Sequence, residues 1–187
     1  MSWEGKMRVL AKWTVEDYHR MIEAGILSDR RVELLEGDII AVSSESPLHS
    51  KSNSNIAKYL RRKLNGKAEI FEGHPVTLPD SEPEPDVAIV RIQKDEYGDR
   101  HPSGEDIFWL IEVSRSTLAR DKNQKKRIYA VAGIKEYWVV DLDAKELIIW
   151  KQPKGKDYQT EFKINQGMIS SLAFPDIELE VKEMLSN

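Results

Sequence analysis

The segment FWLIEVS, residues 108–114, constrains the fold more than any other part of this sequence. With Ile107, five apolar residues precede Glu112, and Val113 follows it, with no alternation between polar and apolar positions. Such a run is typical of a β-strand that is covered on both faces. A carboxylate in that position is costly to bury unless another group pairs with it or coordinates it. The segment therefore predicts a strand with both faces covered and a specific partner for Glu112.

Capping and turn residues divide the rest of the chain into elements. Thr14, with Asp17 three residues later and Gly25 beyond, predicts a helix over about Val15–Ala24. Two strand-like runs around Glu36-Gly37-Asp38 predict a hairpin. Further predicted elements are a helix ending near Leu64, strands in AEIFEGHPVTL and DVAIV, a helix stopped by Gly133, a hairpin of EYWVVDLD with ELIIWKQ, a strand in YQTEFKI, and one helical turn in FPDIELEVKEML.

The order helix, hairpin, helix, strands, helix, strands predicts an α/β or α+β domain with a mixed central sheet. A chain of 187 residues is long enough for one domain with a proper core and short for two. We therefore expect a single domain over residues 1–187.

Composition excludes several classes of protein. The chain has no cysteine, which excludes disulfides, thiolate nucleophiles and cysteine-ligated zinc or iron–sulfur sites. The formal net charge of -4 argues against a globally basic nucleic-acid binder. No apolar run approaches the roughly 20 residues of a membrane span, and the first ten residues lack a signal-peptide core. We expect a cytosolic protein with no membrane partner.

Two carboxylates on predicted strands are candidates for a common site. Alternation places Glu112 and Leu110 on the same face of their strand, and Asp86 and Ala88 on the same face of theirs. If those strands are neighbours, the carboxylates converge and repel each other unless a cation neutralises them. Without cysteines, Mg²⁺ or Mn²⁺ suits such a site better than zinc. The alternative is that Asp86 caps a strand and Glu112 pairs with a core arginine.

The helix that follows Glu112 supplies a candidate cation. At 100° per residue, Asp121 and Lys125 fall in the middle of the apolar arc that faces the sheet, whereas Lys122 and Lys126 fall at its polar edge or beyond. Lys125 could snorkel to water or pair with Asp121 four residues earlier. It could also orient a water molecule or stabilise charge on a phosphate. On the last interpretation, the Lys125 ammonium is buried beside Glu112.

At these residues the sequence resembles a known family. EPDVAIV, WLIEVSRST, DKNQKKRIYAVAGIKEYWVVD and the early VELLEGDI resemble the restriction-endonuclease-like proteins long catalogued as a domain of unknown function, within the PD-(D/E)XK nuclease superfamily. The resemblance extends from about Thr14 to Leu179 and implies a central mixed sheet flanked by helices. It also implies metal-dependent hydrolysis of phosphodiester bonds, most often in DNA, and a homodimer.

The resemblance assigns roles to individual positions. The superfamily's aspartate and glutamate correspond to Asp86 and Glu112, and the backbone carbonyl of Val113 completes the metal site. Ser114 stands where the superfamily has its lysine, so the resemblance implies that Lys125 of the following helix supplies it. The resemblance adds Glu33, which matches the family's early glutamate, to the active site. His49, by resemblance, and Asp121, by its position on the helix, are possible accessory residues of the same site.

Three functions remain open at this point. The leading interpretation is a Mg²⁺- or Mn²⁺-dependent DNA endonuclease in which Asp86, Glu112 and Val113 hold the metal and Glu33 and Lys125 assist. The second is a non-catalytic binding or assembly module that retains the nuclease fold. The third is hydrolysis of a different phosphodiester, such as RNA or a small nucleotide.

Overall fold

The N-terminal third contains two helices and a separate two-stranded sheet. The computed structural model describes residues 10–42, 44–95 and 97–186. Helix α1 (Val15–Glu23) is closed at its start by reciprocal hydrogen bonds between Thr14 and Asp17, as the sequence predicts. Strands β1 (Val32–Leu35) and β2 (Asp38–Ala41) form an antiparallel hairpin that is not part of the central sheet. Helix α2 (Pro47–Lys63) follows.

The central sheet has six strands in the order β3-β4-β5-β6-β7-β8. Its strands are β3 (Glu69–Glu72), β4 (Val87–Val90), β5 (Ile107–Ser114), β6 (Glu136–Asp141), β7 (Glu146–Lys154) and β8 (Asp157–Ile164). Neighbours are antiparallel except β5 and β6, which are parallel. The predicted mixed α/β sheet is therefore confirmed.

The connection between β5 and β6 is a compound helix. It consists of α3 (Leu118–Arg120), a π-helical turn (Asp121–Lys125) and α4 (Lys126–Val131). The predicted helix that stops at Gly133 is present, but the i→i+5 hydrogen bonds of the π-turn interrupt its regular geometry. The chain ends with a small sheet of β9 (Met168–Ile169) and β10 (Leu179–Glu180), and with α5 (Val181–Met184). The predicted single helical turn is α5, whereas β9 and β10 were not predicted.

Helices cover both faces of the central sheet, and β5 lies between two hydrophobic cores. Trp109 and Ile111 pack on one side with residues of α2 and α5. Leu110 packs on the other side with residues of α4, such as Tyr129. Every residue of β5 except Phe108 is buried, which confirms the interpretation of the apolar run.

The β1–β2 turn depends on Gly37. Glu36 and Gly37 both have positive φ, at 51° and 76°, the geometry of a two-residue type I′ turn. A Cβ added at Gly37 would lie 2.8 Å from Lys12 Cβ, so glycine is required by space as well as by φ. This turn sets the register that places Glu33 opposite Ile40.

No helix in the described part of the chain combines the length and apolar character needed to cross a bilayer.

Candidate active site

Asp86 and Glu112 lie beside each other at the junction of β4 and β5. The antiparallel register pairs Ala88 with Leu110 and Val87 with Ile111, so one further step places Asp86 opposite Glu112. Paired residues of antiparallel strands point to the same face, and both side chains line one cleft of about 480 Å³. The expectation that neighbouring strands bring these carboxylates onto one face is confirmed.

Asp86 also caps the edge of β5. Its Oδ2 accepts a hydrogen bond from the Val113 backbone N–H at 2.6 Å. The capping role in the alternative interpretation of Asp86 is therefore real. It occupies one oxygen and directs the carboxylate toward β5, so it is compatible with a place in the cleft.

Lys125 is the cation that pairs with Glu112. Its side chain is 2% exposed, and its Nζ lies 2.8 Å from Glu112 Oε1 and 3.2 Å from Glu33 Oε1. The Tyr129 hydroxyl donates to the same Glu112 oxygen at 2.7 Å. The predicted burial of Lys125 beside Glu112 is confirmed. Its ion pairs within the described chain are with Glu112 and Glu33 rather than with Asp121.

The neighbouring lysines differ from Lys125 in their surroundings. Lys122 is half-buried. Lys126 is 19% exposed and pairs with Asp157 of β8 at 2.8 Å, with its ammonium 5.7 Å from the centre of the Trp150 ring. The helical phase places both lysines at the polar edge of the helix or beyond, but the Lys126 side chain does not extend into water, because β8 packs against this end of the helix.

Glu33 reaches the cleft from the separate hairpin. It is 2% exposed, and its Oε1 accepts from the Glu84 backbone N–H at 2.8 Å. A bridge between Leu34 and Glu82 holds β1 against the segment that leads into β4. Glu33 Oε2 is buried and has no hydrogen-bond partner in the described structure. This oxygen is available to a bound cation.

The buried charges shift one another's protonation. Burial raises the pKa of Glu112 to about 8, against the opposing effect of the Lys125 charge. Burial by itself would lower the pKa of Lys125, but the charges of Glu112 and Glu33 outweigh it and raise that pKa. Burial and the Glu33 charge also raise the pKa of Glu84, which lines the same cleft. The site is a crowded set of carboxylates around one ammonium.

His49 and Glu45 form a second group around Asp86. His49, in the first turn of α2, places Nε2 3.1 Å from Asp86 Oδ2 and Nδ1 3.4 Å from Glu45 Oε2. Burial would lower the pKa of His49, but these two carboxylates raise it to about 9. One ligand atom from each of the three residues lies within 4.8 Å of the others. The group could therefore hold a metal ion.

Glu45 and Glu84 were missed by the sequence analysis. Glu45 comes four residues before His49 and directly before the Ser46 cap of α2, which is the signal that could have identified it. Glu84 lies two residues before Asp86 in a rigid proline-rich segment. Both line the cleft.

Asp121 lines the cleft and is hydrogen-bonded to Ser114. The Ser114 hydroxyl donates to Asp121 Oδ2 at 2.8 Å, so a hydroxyl fills the position where the superfamily has its lysine. Asp121 is 1% exposed and its Oδ1 has no hydrogen-bond partner among the described residues. The nearby Arg120 Nε, at 3.7 Å, is an ion-pair contact only.

The donor set fits a hard divalent cation. Oxygens of Asp86, Glu112 and Glu33 surround the cleft, and both Glu33 and Asp121 carry a buried oxygen without a hydrogen bond. Mg²⁺ and Mn²⁺ prefer such carboxylate-rich sites. The Val113 carbonyl, the third metal ligand that the resemblance implies, belongs to a residue that already contacts this group: the Val113 N–H donates a hydrogen bond to Asp86.

Comparison with known proteins identifies the family and supports the fold. The model of the Uma2 family, described as "Putative restriction endonuclease", matches residues 15–182. A crystal structure from Anabaena variabilis ATCC 29413, described as a putative nuclease belonging to DUF820, superposes with a TM-score of 0.69 at 18% identity. The match covers 84% of this chain and 91% of that one, and at this identity it shows the fold alone. No curated protein matches.

Proposed function

From the premise that this chain belongs to the Uma2 family of putative restriction endonucleases, we propose that it is a metal-dependent endonuclease that hydrolyses phosphodiester bonds in DNA. One observation carries the proposal. A fully buried lysine lies 2.8 Å from a glutamate that shares an open cleft with Asp86 and Glu33. Burying this much charge is costly, and a purely structural core gains little from it.

Asp86, Glu112 and the Val113 carbonyl would hold the ion, and Glu33 would bind a second ion or position the first through a water molecule. The bound Mg²⁺ or Mn²⁺ would offset negative charge on the phosphate and on the departing 3′ oxygen. The raised pKa of His49 keeps its imidazole protonated, so Nε2–H donates a hydrogen bond to Asp86 Oδ2 and fixes the orientation of that carboxylate. Glu45 adds negative charge beside His49.

Lys125 acts on the attacking water and on the phosphate. Its raised pKa keeps the ammonium charged, so it donates hydrogen bonds and cannot serve as a general base. Glu112 and Glu33 hold the ammonium from two sides, and Tyr129 holds Glu112. Because this cation is already held in place, it can stabilise the negative charge that develops on the phosphate oxygens without first having to move.

Several finer parts of the proposal come from the family resemblance. These are DNA as the preferred substrate, a homodimer, and a nuclease-like core at about 14–179. The single domain over 1–187 rests on chain length, and the cytoplasmic location rests on the sequence pattern. The cleft rim contributes Arg31, Arg115 and Arg120, side chains suited to phosphate contacts. Sedimentation at several protein concentrations tests the dimer.

The decisive experiment incubates the protein with supercoiled DNA, structured RNA and small cyclic or linear nucleotides, with Mg²⁺ or Mn²⁺ and with EDTA. We expect metal-dependent nicking of DNA that Asp86→Asn abolishes. Asp176→Asn, an exposed carboxylate near the C-terminus, is the matched control and should cleave normally. Cleavage of RNA or nucleotides alone would identify the third function. DNA binding without cleavage under any metal would favour the non-catalytic module.

A further inference from the structure

Helix α2 carries basic residues and no acidic ones. Pro47–Lys63 contains no aspartate or glutamate, whereas the whole chain has 32 of them against 28 lysines and arginines. The helix begins at the cleft, because its cap Ser46 and its first-turn residue His49 are lining residues. The lysines and arginines that follow His49 on this helix have no role in the proposed reaction. They are Lys51, Lys58, Arg61, Arg62 and Lys63.

Three of these residues, Lys51, Lys58 and Arg62, form a basic stripe along the exposed side of α2. They are seven and four residues apart, so at 100° per residue they fall within about 40° of one another. All three are exposed, and the buried residues Ile56 and Leu60 lie on the opposite side of the helix. At 1.5 Å per residue, the stripe is about 16 Å long, and it starts directly beyond the cleft residue His49.

The charges of the basic stripe are not neutralised by ion pairs within the described residues 10–42, 44–95 and 97–186. The guanidinium of Arg62 lies 5.3 Å from the centre of the Tyr59 ring, which orients it without removing its charge. Arg61 differs, because it pairs with Glu72 and donates to the Ile70 carbonyl at 2.8 Å. Arg61 therefore ties the helix to β3, whereas the stripe faces solvent.

The stability of the helix does not account for the stripe. Lys58 and Arg62 are like charges four residues apart, a spacing at which like charges destabilise a helix and an acidic partner would stabilise it. The helix dipole favours cations in the last turn, which accounts for residues 61–63 but not for Lys51 or Lys58. A ligand with regularly repeated negative charges would offset this repulsion.

Resting on the proposed nuclease function, we propose that Lys51, Lys58 and Arg62 bind the phosphate backbone of duplex DNA where it leaves the cleft. Each strand of B-DNA has one phosphate per 3.4 Å of helix axis, so the stripe is long enough for about five phosphates. A small nucleotide cannot occupy the cleft and this stripe together, so the substrate is a polymer. Contacts to phosphates set the position of the DNA and do not read its sequence.

Fluorescence anisotropy with a labelled 20-base-pair duplex tests the proposal. Binding is measured in EDTA, so that no cleavage occurs, at salt concentrations from 50 to 200 mM. The variants are Lys51→Gln, Lys58→Gln and Arg62→Gln, in which glutamine keeps a helix propensity close to that of lysine and arginine. Each variant should weaken binding to any DNA sequence and lower the slope of log affinity against log salt by about 0.9.

Lys156→Gln is the matched control, because Lys156 is exposed in the turn before β8, the edge strand farthest from β3. It should leave the salt slope unchanged. An equal change in Lys156→Gln would reflect net charge alone and would overturn the proposal.

Cleavage of supercoiled DNA by the wild type in Mg²⁺ separates this proposal from the nuclease function. Intact cleavage with unchanged slopes in the three stripe variants would overturn the stripe and leave the nuclease function standing. Lowered slopes without any cleavage would support the stripe and contradict the nuclease. Binding to phosphatidylserine vesicles but not to DNA would assign the stripe to a membrane surface and overturn the proposal.

Discussion

At the residue scale, Lys125 distinguishes a catalytic site from a buried ion pair. Its ammonium is held by Glu112 and Glu33, and its stem crosses from the π-turn to β5. Removing one member of a buried pair typically costs about 3–5 kcal/mol, because the remaining charges are stranded. Stability and activity are therefore separate consequences of the same change and need separate measurements.

We predict that Lys125→Ala lowers DNA cleavage by about a hundredfold or more, the range typical of a lost electrostatic group. Lys122→Ala, three residues away and half-buried, should at most weaken DNA binding in a salt-dependent manner. Cleavage is measured at a temperature where circular dichroism shows both variants folded. Equal losses in the two variants would mean that this helix is a general phosphate-binding face and that Lys125 has no special role.

Glu112 makes stability depend on pH. Burial raises its pKa in the folded state to about 8, so the folded chain binds this proton more tightly than the unfolded chain does. The contribution to the free energy of unfolding is complete below the unfolded pKa and is lost as pH rises through about 8. In EDTA, stability should therefore fall between about pH 4.5 and 8, and Glu112→Gln should reduce that slope.

Urea unfolding at several pH values measures this slope. The raised pKa of His49 gives a decline in the same direction at higher pH, but it is present in both proteins. The difference between wild type and Glu112→Gln therefore isolates Glu112. Parallel curves would show that Glu112 stays ionised beside Lys125 across this range.

At the element scale, the β1–β2 hairpin positions Glu33 against Lys125, and the π-turn positions Lys125 against Glu112. β1 delivers Glu33, and its register depends on the turn at Gly37. The π-turn ends at Lys125 and keeps both Asp121 and Lys125 buried against the sheet. Single-turn π-helices are frequent at functional sites, where they redirect a side chain.

Gly37→Ala should destabilise the protein more than Gly66→Ala. Both glycines have positive φ, at 76° and 70°, so each substitution costs about 1–2 kcal/mol in backbone strain. A new Cβ at Gly37 would also lie 2.8 Å from Lys12 Cβ, whereas a new Cβ at Gly66 would have no other atom of the described structure within 4 Å. Thermal melts of both variants measure the difference. Equal losses would show that Lys12 moves aside and that the turn tolerates the methyl group.

At the scale of the whole molecule, the cleft joins parts of the chain that are far apart in sequence. It is lined by β1, the start of α2, the start of β4, the end of β5 and the π-turn. A ligand that bridges these elements binds the folded state only, and it therefore stabilises the whole chain.

Mg²⁺ should raise the melting temperature of the wild-type protein. At 100 times the dissociation constant, ligand linkage contributes about 2.7 kcal/mol. Asp86→Asn should remove this stabilisation, and Asp176→Asn should preserve it. An equal response in Asp86→Asn would place the ion elsewhere, for example on Glu33 and Asp121, whose buried oxygens lack hydrogen bonds.

Periodicity along the sequence was sufficient for most of the elements and for the inward direction of the Glu112 and Lys125 side chains. The unbroken apolar run predicted a covered strand, and helical phase selected Lys125 over Lys122, because burial of an element is recorded in its own spacing. Helical phase did not predict the surroundings of Lys126, because its partner Asp157 lies on β8. It also could not reveal the π-turn.

Only the tertiary structure decided which charges meet. Glu33 is 92 residues from Lys125 in sequence, and nothing in either local pattern indicates a 3.2 Å contact. The places of Glu45 and Glu84 in the cleft could not be predicted for the same reason, because the spacing of polar side chains does not identify a distant partner. The strand register and the packing of the hairpin against the segment before β4 set those distances. Local residue chemistry thus determined what each element could be, and long-range packing determined which carboxylates surround the lysine.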